Sequence, residues 1–261
     1  MKTPIITIFI ICVLIIALAL AFYDYKKHGA RQETFSMSRT DSDAVKIAKE
    51  VGEQLLQKKN YNGAIEEYKN ALRRAPTDAY LHNDLGVAYY RLGLQSAQPS
   101  MEETEFGFGT EVDARHISKS EALEKTQDAV QGTVSGIITV VVNDEAVDKE
   151  IEAYAKSLNQ YVYSEKEIKD DGGKEYWITI ITGKTKEAFL NAEKEYLEAI
   201  KSISVKDASG RRYSGYSTAS RNLGTLYFRM GKKSEAIAQW RHALRLEPND
   251  AELRELLNRY E

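Results

Sequence analysis

The chain has 261 residues, 43% of them hydrophobic, with 36 basic against 39 acidic side chains and a formal net charge of −3. That length holds one or two modest domains, and the slight acidic excess excludes the basic footprint on which nucleic-acid affinity depends. One cysteine, Cys12, excludes a disulfide framework and a cysteine-rich metal module.

In chain order, residues 5 to 23 come first, uncharged and rich in Ile, Leu, Val, Ala and Phe. As a helix rising about 1.5 Å per residue, such a run crosses roughly 30 Å of hydrocarbon. Tyr23, Tyr25, Lys26 and Lys27 follow at the expected headgroup boundary. A cleaved secretory signal is the alternative, with Lys2 ahead of the run and Ala19-Leu20-Ala21 as its cleavage site. The length of the run favours an uncleaved single-pass anchor. Lys26, Lys27 and Arg31 outweigh Lys2 plus the amino terminus by one charge, which places the soluble body in the cytoplasm, a periplasmic or other extracytoplasmic body being the alternative. Residues 24 to 42, polar and without apolar period, read as a tether.

From near Asp43 the pattern becomes helical. Val51-Gly52, Leu55, Ala64, Tyr68, Ala71 and Pro76 lie on two successive helical faces, and Leu85-Gly86 with Tyr89 restart the pattern 34 residues after Gly52. Leu223-Gly224, Tyr227, Gly231, Ala236, Trp240, Ala243 and Pro248 reproduce the full unit at the same offsets. The middle unit is broken. Its second helix should show a small residue near position 98, but the matching run is Ala192, Tyr196, Ala199 and Ile200, displaced by 94 residues. A further 10 residues enter the loop around Ser209-Gly210-Arg211-Arg212 before Gly224. These positions resemble the tetratricopeptide repeat (TPR), in which small residues let helices A and B pack closely and a proline ends helix B. The resemblance implies a mainly α fold, a solenoid of about three helical hairpins with a small α/β module inserted into it and a transmembrane helix ahead of it. Residues 43 to 94 carry repeat 1 and helix A of repeat 2; residues 185 to 261 carry helix B of repeat 2, repeat 3 and a capping helix.

The insert, residues 95 to 184, has 18 acidic and 9 basic side chains, whereas residues 185 to 261 have 14 basic and 11 acidic. An acidic module of this kind either keeps its surface solvated or docks onto a basic partner or onto the basic C-terminal part of the chain. Residues 95 to 115, with Pro99, Gly107 and Gly109, read as a mobile linker. After it the pattern predicts a helix over 119–131, a buried strand at Ile137 to Val142, a helix over 145–158, and two strands over 161–169 and 175–182 joined at Asp170-Asp171-Gly172-Gly173. The order is α-β-α-β-β.

Chemistry-bearing motifs are sparse. Gly183-Lys184-Thr185 follows a strand and precedes a helix, but Ile178 stands where a phosphate loop needs its first glycine, so an ordinary turn is expected. His28, His82, His116 and His242 have no Cys or carboxylate at ligand spacing, and His82 reads as an interfacial histidine. Glu66-Glu67, Asp144-Glu145 and Asp170-Asp171 are adjacent pairs, poorly placed for acid/base work. The expectation is a protein with no catalytic activity, no cofactor and no metal. An enzyme would require Asp144, Glu145 or Asp171 to converge in a pocket of the insert.

Carrying the inward offsets of TPR helix A onto this chain selects Lys49, Glu53 and Leu56, then Asn83, Val87, Tyr90 and Arg91, then Arg221, Thr225, Phe228 and Arg229. Leu56, Tyr90 and Phe228 would form an apolar ladder flanked by Arg91 and Arg229, suited to a protein or peptide partner with spaced hydrophobic anchors and some acidic character. The alternative is that these rings pack on the insert or the tether and close the groove. TPR co-chaperones that grip a C-terminal carboxylate use a Lys followed four residues later by Asn; here Lys49 fits, but Glu53 occupies the Asn position, and Thr218 and Asn222 stand where two basic residues are needed. A clamp of that kind is excluded. The layout resembles bacterial envelope-biogenesis TPR proteins, which implies a membrane-anchored adaptor or scaffold in the assembly or regulation of a membrane-associated complex; self-association through the insert is the second reading.

Overall fold

A computed structural model describes residues 39–97, 103–104, 107–169, 172–206, 212–214 and 216–260. The expected anchor over 5–23, most of the tether, Cys12, His28 and Asp170-Asp171 lie outside these residues. Among the described residues no helix is long and apolar enough to cross a membrane. The tether ends earlier than expected, because helix α1 spans Arg39–Gln57.

Helix α2 (Tyr61–Leu72) returns against α1 where Tyr68 meets Gly52, and helix α3 (Ala79–Ser96) packs on α2. Both start at residues that favour N-caps: Asn60 accepts from the Gly63 amide at 3.1 Å, and Asp78 accepts from the Tyr80 and Leu81 amides at 2.9 and 3.1 Å. A hairpin of β1 (Glu103–Thr104) and β2 (Gly107–Phe108) leads into the insert. There β3 (Thr110–Asp113), α4 (Lys119–Gly132), β4 (Gly136–Val142), α5 (Glu145–Ser157), β5 (Tyr161–Ile168) and β6 (Lys174–Thr182) form a four-stranded mixed sheet of order β3-β4-β6-β5 with two helices. Helix α6 (Gly183–Ser202) then packs along α3 as the missing helix B. A second hairpin, β7 (Ser204–Lys206) and β8 (Arg212–Ser214), takes up the extra loop residues. Helices α7 (Ser217–Arg229), α8 (Lys233–Leu246) and α9 (Ala251–Tyr260) complete the third hairpin and its cap.

Three close approaches define the repeats. A Cβ on Gly52 would stand 2.6 Å from the Tyr68 ring, one on Gly86 2.7 Å from Tyr196, and one on Gly224 2.4 Å from Trp240. Tyr68, Tyr196 and Trp240 are all fully buried, so each ring fills the space that the facing glycine leaves open. The Gly86–Tyr196 contact joins α3 to α6 across the whole insert.

One expectation about the insert is corrected. Residues 110 to 113 are not linker: β3 pairs in parallel with β4, Thr110 opposite Ile138 and Asp113 opposite Val141. Its four residues carry a single buried apolar side chain, Val112, so no alternation marks it in the sequence. Strand β4 is buried along its whole length. Ile138, Val140 and Val142, with Tyr176, Ile178 and Ile180 of β6, pack against α4 and α5, while Ile137 and Ile181 join the core of the repeat helices.

The sheet's second face sits at the turns joining helices A and B of repeats 2 and 3. Neither α6 nor α8 is capped by its own N-cap side chain; the insert does both. The Ser135 hydroxyl accepts from the Thr185 amide at 3.0 Å, and the Glu165 carboxylate accepts from the Lys233 amide at 2.9 Å and from the Ser234 hydroxyl. Gly231, at φ +78°, lies so close to β6 that a Cβ would meet the Thr179 hydroxyl at 2.0 Å. Tyr163 donates to Glu235 at 3.0 Å, and Lys232 lies 4.7 Å above the Tyr227 ring and 5.7 Å from that of Tyr161 while pairing with Glu193 at 3.2 Å. The acidic insert therefore meets the C-terminal part through the N-terminus of α8, through tyrosines and through Lys232.

His82 is interfacial, as its position predicts. Its Nδ1 is 2.7 Å from the Glu195 carboxylate on α6 and its Nε2 is 3.0 Å from the Pro76 carbonyl. Both partners are acceptors, so both ring nitrogens donate only in the imidazolium. The Glu195 contact raises the His82 pKa above the ordinary 6.5, against burial, which lowers it, and with help from Pro76.

Two predictions follow from this packing. Gly86→Ala forces a methyl against the Tyr196 ring and costs about 1–3 kcal/mol of overpacking, whereas Gly132→Ala, with nothing within 4 Å, changes stability by less than about 1 kcal/mol; urea denaturation of both variants is the check. Because the folded pKa of His82 is raised, its contribution is complete below the unfolded value near 6.5 and disappears as pH rises through the higher folded value. The stability gap between wild type and His82→Gln is therefore widest below the ordinary histidine value and closes as pH rises through the raised folded value. A gap that grows with pH would show that His82 is held neutral.

Candidate peptide-binding face

Helices α1, α3 and α7 are linked by one polar side-chain contact after another. Lys49 of α1 pairs with Asp84 of α3 at 3.5 Å and lies 5.6 Å from the centroid of the Tyr80 ring. Asn83 accepts from the Asn222 amide of α7 at 2.9 Å, and Arg221 pairs with Asp250 and, at 3.5 Å, with Glu252. Thr225 turns inward to donate to the Arg221 carbonyl at 3.1 Å. The inner row thus runs from repeat 1 to the capping helix as a chain of intramolecular partners.

This arrangement sorts the eleven positions selected from the sequence. Lys49, Arg221 and Thr225 lie on the row but already have partners. Asn83 is 5% exposed and belongs to the α3–α7 joint instead of an open surface. Glu53 and Arg91 are exposed, and Leu56, Val87 and Arg229 are half-buried. The two rings of the expected ladder are engaged elsewhere: Tyr90 stacks on Phe189 of α6 with centroids 5.8 Å apart, and Phe228 sits 5.6 Å from Trp240 and 4.4 Å from Tyr260 of α9. Both belong to the margin of the core. They cover it from the array's own helices, not from the insert.

Other contributors, among them Asp84, Tyr80 and Tyr68, were not selected from the sequence. Asp84 is one residue past the inward offset, and burial raises its pKa more than Lys49 lowers it. Tyr80 stands 55% exposed with its ring against the edge of Tyr216, 5.2 Å away and inclined at 67°. Tyr68 is fully buried, but its hydroxyl has no hydrogen-bond partner. The pairing of Lys49 with Asp84 depends on the angle between neighbouring hairpins, which no offset count contains.

Elsewhere, described residues weighed for chemistry make structural contacts. Asp144 caps α5 through the Ala146 amide at 2.7 Å, and Glu145 takes the Tyr176 hydroxyl at 3.2 Å. The Asp148 carboxylate is buried, which raises its pKa, and accepts from Ser164 at 2.6 Å. Gly183 to Thr185 open α6 against Ser135, as an ordinary turn. Among the described residues no group of three or more His, Cys, Asp or Glu is arranged to hold a metal ion.

With the three glycine–aromatic pairs in place, comparison with known families is decisive for the hairpins. Residues 52–93 match a family model described as TPR repeat, and residues 217–250 one described as tetratricopeptide repeat. These segments are tetratricopeptide repeats. No curated protein matches the chain. Among solved structures, the chain is similar to the first TPR of Spaghetti (RPAP3) bound to the HSP90 peptide SRMEEVD, at 15% identity over 84% of this chain and 91% of that one, with a TM-score of 0.41. It is also similar to the Arabidopsis OM64 TPR domain, at 14% identity over 85% and 97% with a TM-score of 0.40. A thermophilic TPR protein of Thermus thermophilus gives 15% identity over 98% and 94%, with a TM-score of 0.29. Identities and scores this low carry nothing about ligands.

Tyr90→Ala combined with Phe228→Ala is expected to lower stability by about 2–5 kcal/mol, whereas Glu53→Ala and Arg91→Ala stay within about 0.5 kcal/mol. Denaturant midpoints measure both. A double variant as stable as wild type would return the two rings to the role of free anchors.

Proposed function

We propose that this protein is a TPR adaptor that binds a protein or peptide segment along the inner face of α1, α3 and α7, without catalysis and without a cofactor. The observation that carries the reading is the row from Lys49 to Asp250, polar and part-exposed, on rigid helices held in register by buried rings. A functional face on helices is preorganised, which lowers the ordering cost of binding. Hydrophobic anchors with an acidic residue suit the end of the face where Arg91 is exposed beside half-buried Val87. The uncharged run over 5–23 would hold the body at a membrane, more favourably on its cytoplasmic side by the lysine and arginine balance, so that the adaptor serves a membrane-associated complex.

Placing a photocrosslinking amino acid at Glu53 or Arg91, both exposed on the inner side, and at Asn62, exposed on α2, tests the reading in the native membrane. Expected is one dominant protein adduct from the first two positions and its absence from the third. Identical products from all three positions would remove the inner face as the working surface, and adducts containing only this chain would favour the self-associating scaffold.

A further inference from the structure

The inner face carries an acidic site at its α1–α3 end that neither the repeat pattern nor the comparisons assign. Asp84 is set back from solvent with its Oδ2 buried, and Lys49 reaches it only at 3.5 Å, an ion pair longer than a hydrogen bond. Glu53 lies one helical turn after Lys49, exposed. Between them, the Tyr68 ring ends against Gly52, and its hydroxyl is fully buried and unpartnered. That hydroxyl feels the same two carboxylates: after burial, Asp84 and Glu53 are the causes that raise its pKa. Beside the carboxylates stands the exposed face of Tyr80, already approached by the Lys49 ammonium and braced by Tyr216. At this end of the row the carboxylates Glu53 and Asp84 stand beside the cation Lys49, while Arg91 lies further along α3.

We infer that this end of the face receives a basic side chain, an arginine or a lysine, from an extended peptide partner. The inference rests on the adaptor reading and specifies its ligand. A guanidinium or ammonium over Tyr80 gains cation–π attraction, and its N–H groups supply the donors that Asp84 Oδ2 and the Tyr68 oxygen lack. Arginine fits better, because its planar group stacks on the ring while its edge faces the carboxylates. An anionic side chain entering here would face Glu53 and Asp84 together. Arg91, seven residues beyond Asp84 and hence about 10 Å further along the same side of α3, sets the opposite polarity at the other end.

Fluorescence anisotropy on the full chain in detergent tests this with two fluorescein-labelled dodecapeptides, one alternating Leu with Arg and the other Leu with Glu. The expected result is at least roughly tenfold tighter binding of the Leu/Arg peptide, reduced severalfold in Glu53→Gln and in Asp84→Asn and unchanged when Glu124→Gln and Asp128→Asn neutralise exposed acids of the insert. Glu53 is exposed, so its variant keeps the fold if Asp84→Asn does not. Tighter binding of the Leu/Glu peptide would overturn the inference while leaving the adaptor reading in place. Binding of neither peptide, or Leu/Arg binding that ignores Glu53 and Asp84 and falls in the insert variant, would also overturn it; the adaptor reading itself stands or falls on the position dependence of the crosslinks.

Discussion

Gly86 of α3 meets the Tyr196 ring of α6 with no room for a Cβ, and everything else in the array is arranged around that contact. It is the same approach that Gly52 makes to Tyr68 and Gly224 to Trp240, yet its two partners are separated by the insert. A TPR hairpin cannot bury its apolar faces alone, so a missing helix B in the middle unit would leave repeats 1 and 3 as separate fragments. Gly93 against Phe189 and His82 against Glu195 repeat the closure at either end of the same helix pair. With three attachments along its length, α6 behaves as a native helix B.

The insert is joined to the array by polar as well as apolar contacts. Ser135 and Glu165 satisfy the amides at the starts of α6 and α8, which their own sequences leave uncapped. Each such cap is worth about 1 kcal/mol. The two sit on successive repeats, so the sheet bridges the turn of repeat 2 to that of repeat 3 and fixes the angle between them. These attachments gather at the turns, while the row from Lys49 to Asp250 runs along the inner helices.

Much of this was legible in the sequence. A spacing of sixteen residues from glycine to aromatic ring recurs in repeats 1 and 3 and, with 94 residues added, in repeat 2, because a close helix contact restricts residue size at both positions. The fully buried β4 was legible for a similar reason: Ile137 to Val142 is a β-branched run that solvent would not tolerate. Strand β3 was not, since parallel pairing at an edge asks little of four residues. The inner face was read only in part. Offsets select Lys49 and Arg221, both of which the structure places in ion pairs, but they do not show that Phe228 turns toward Tyr260 or that Asp84 reaches Lys49. Those contacts depend on how hairpins are inclined to one another and on where the capping helix ends.

The hydrogen bond from the Thr185 hydroxyl to the Gly93 carbonyl, 3.2 Å long, brings the two ends of the insert together. In repeat 1 the corresponding connection is Lys58 to Asn60, three residues between α1 and α2. Closing a flexible loop some thirty times longer costs roughly 3 kcal/mol more in chain entropy. Pairing within the insert shortens the effective loop, with Gly183 pressed on Val134 beside the start of β4. An insert that holds this structure of its own spares the solenoid most of that closure cost.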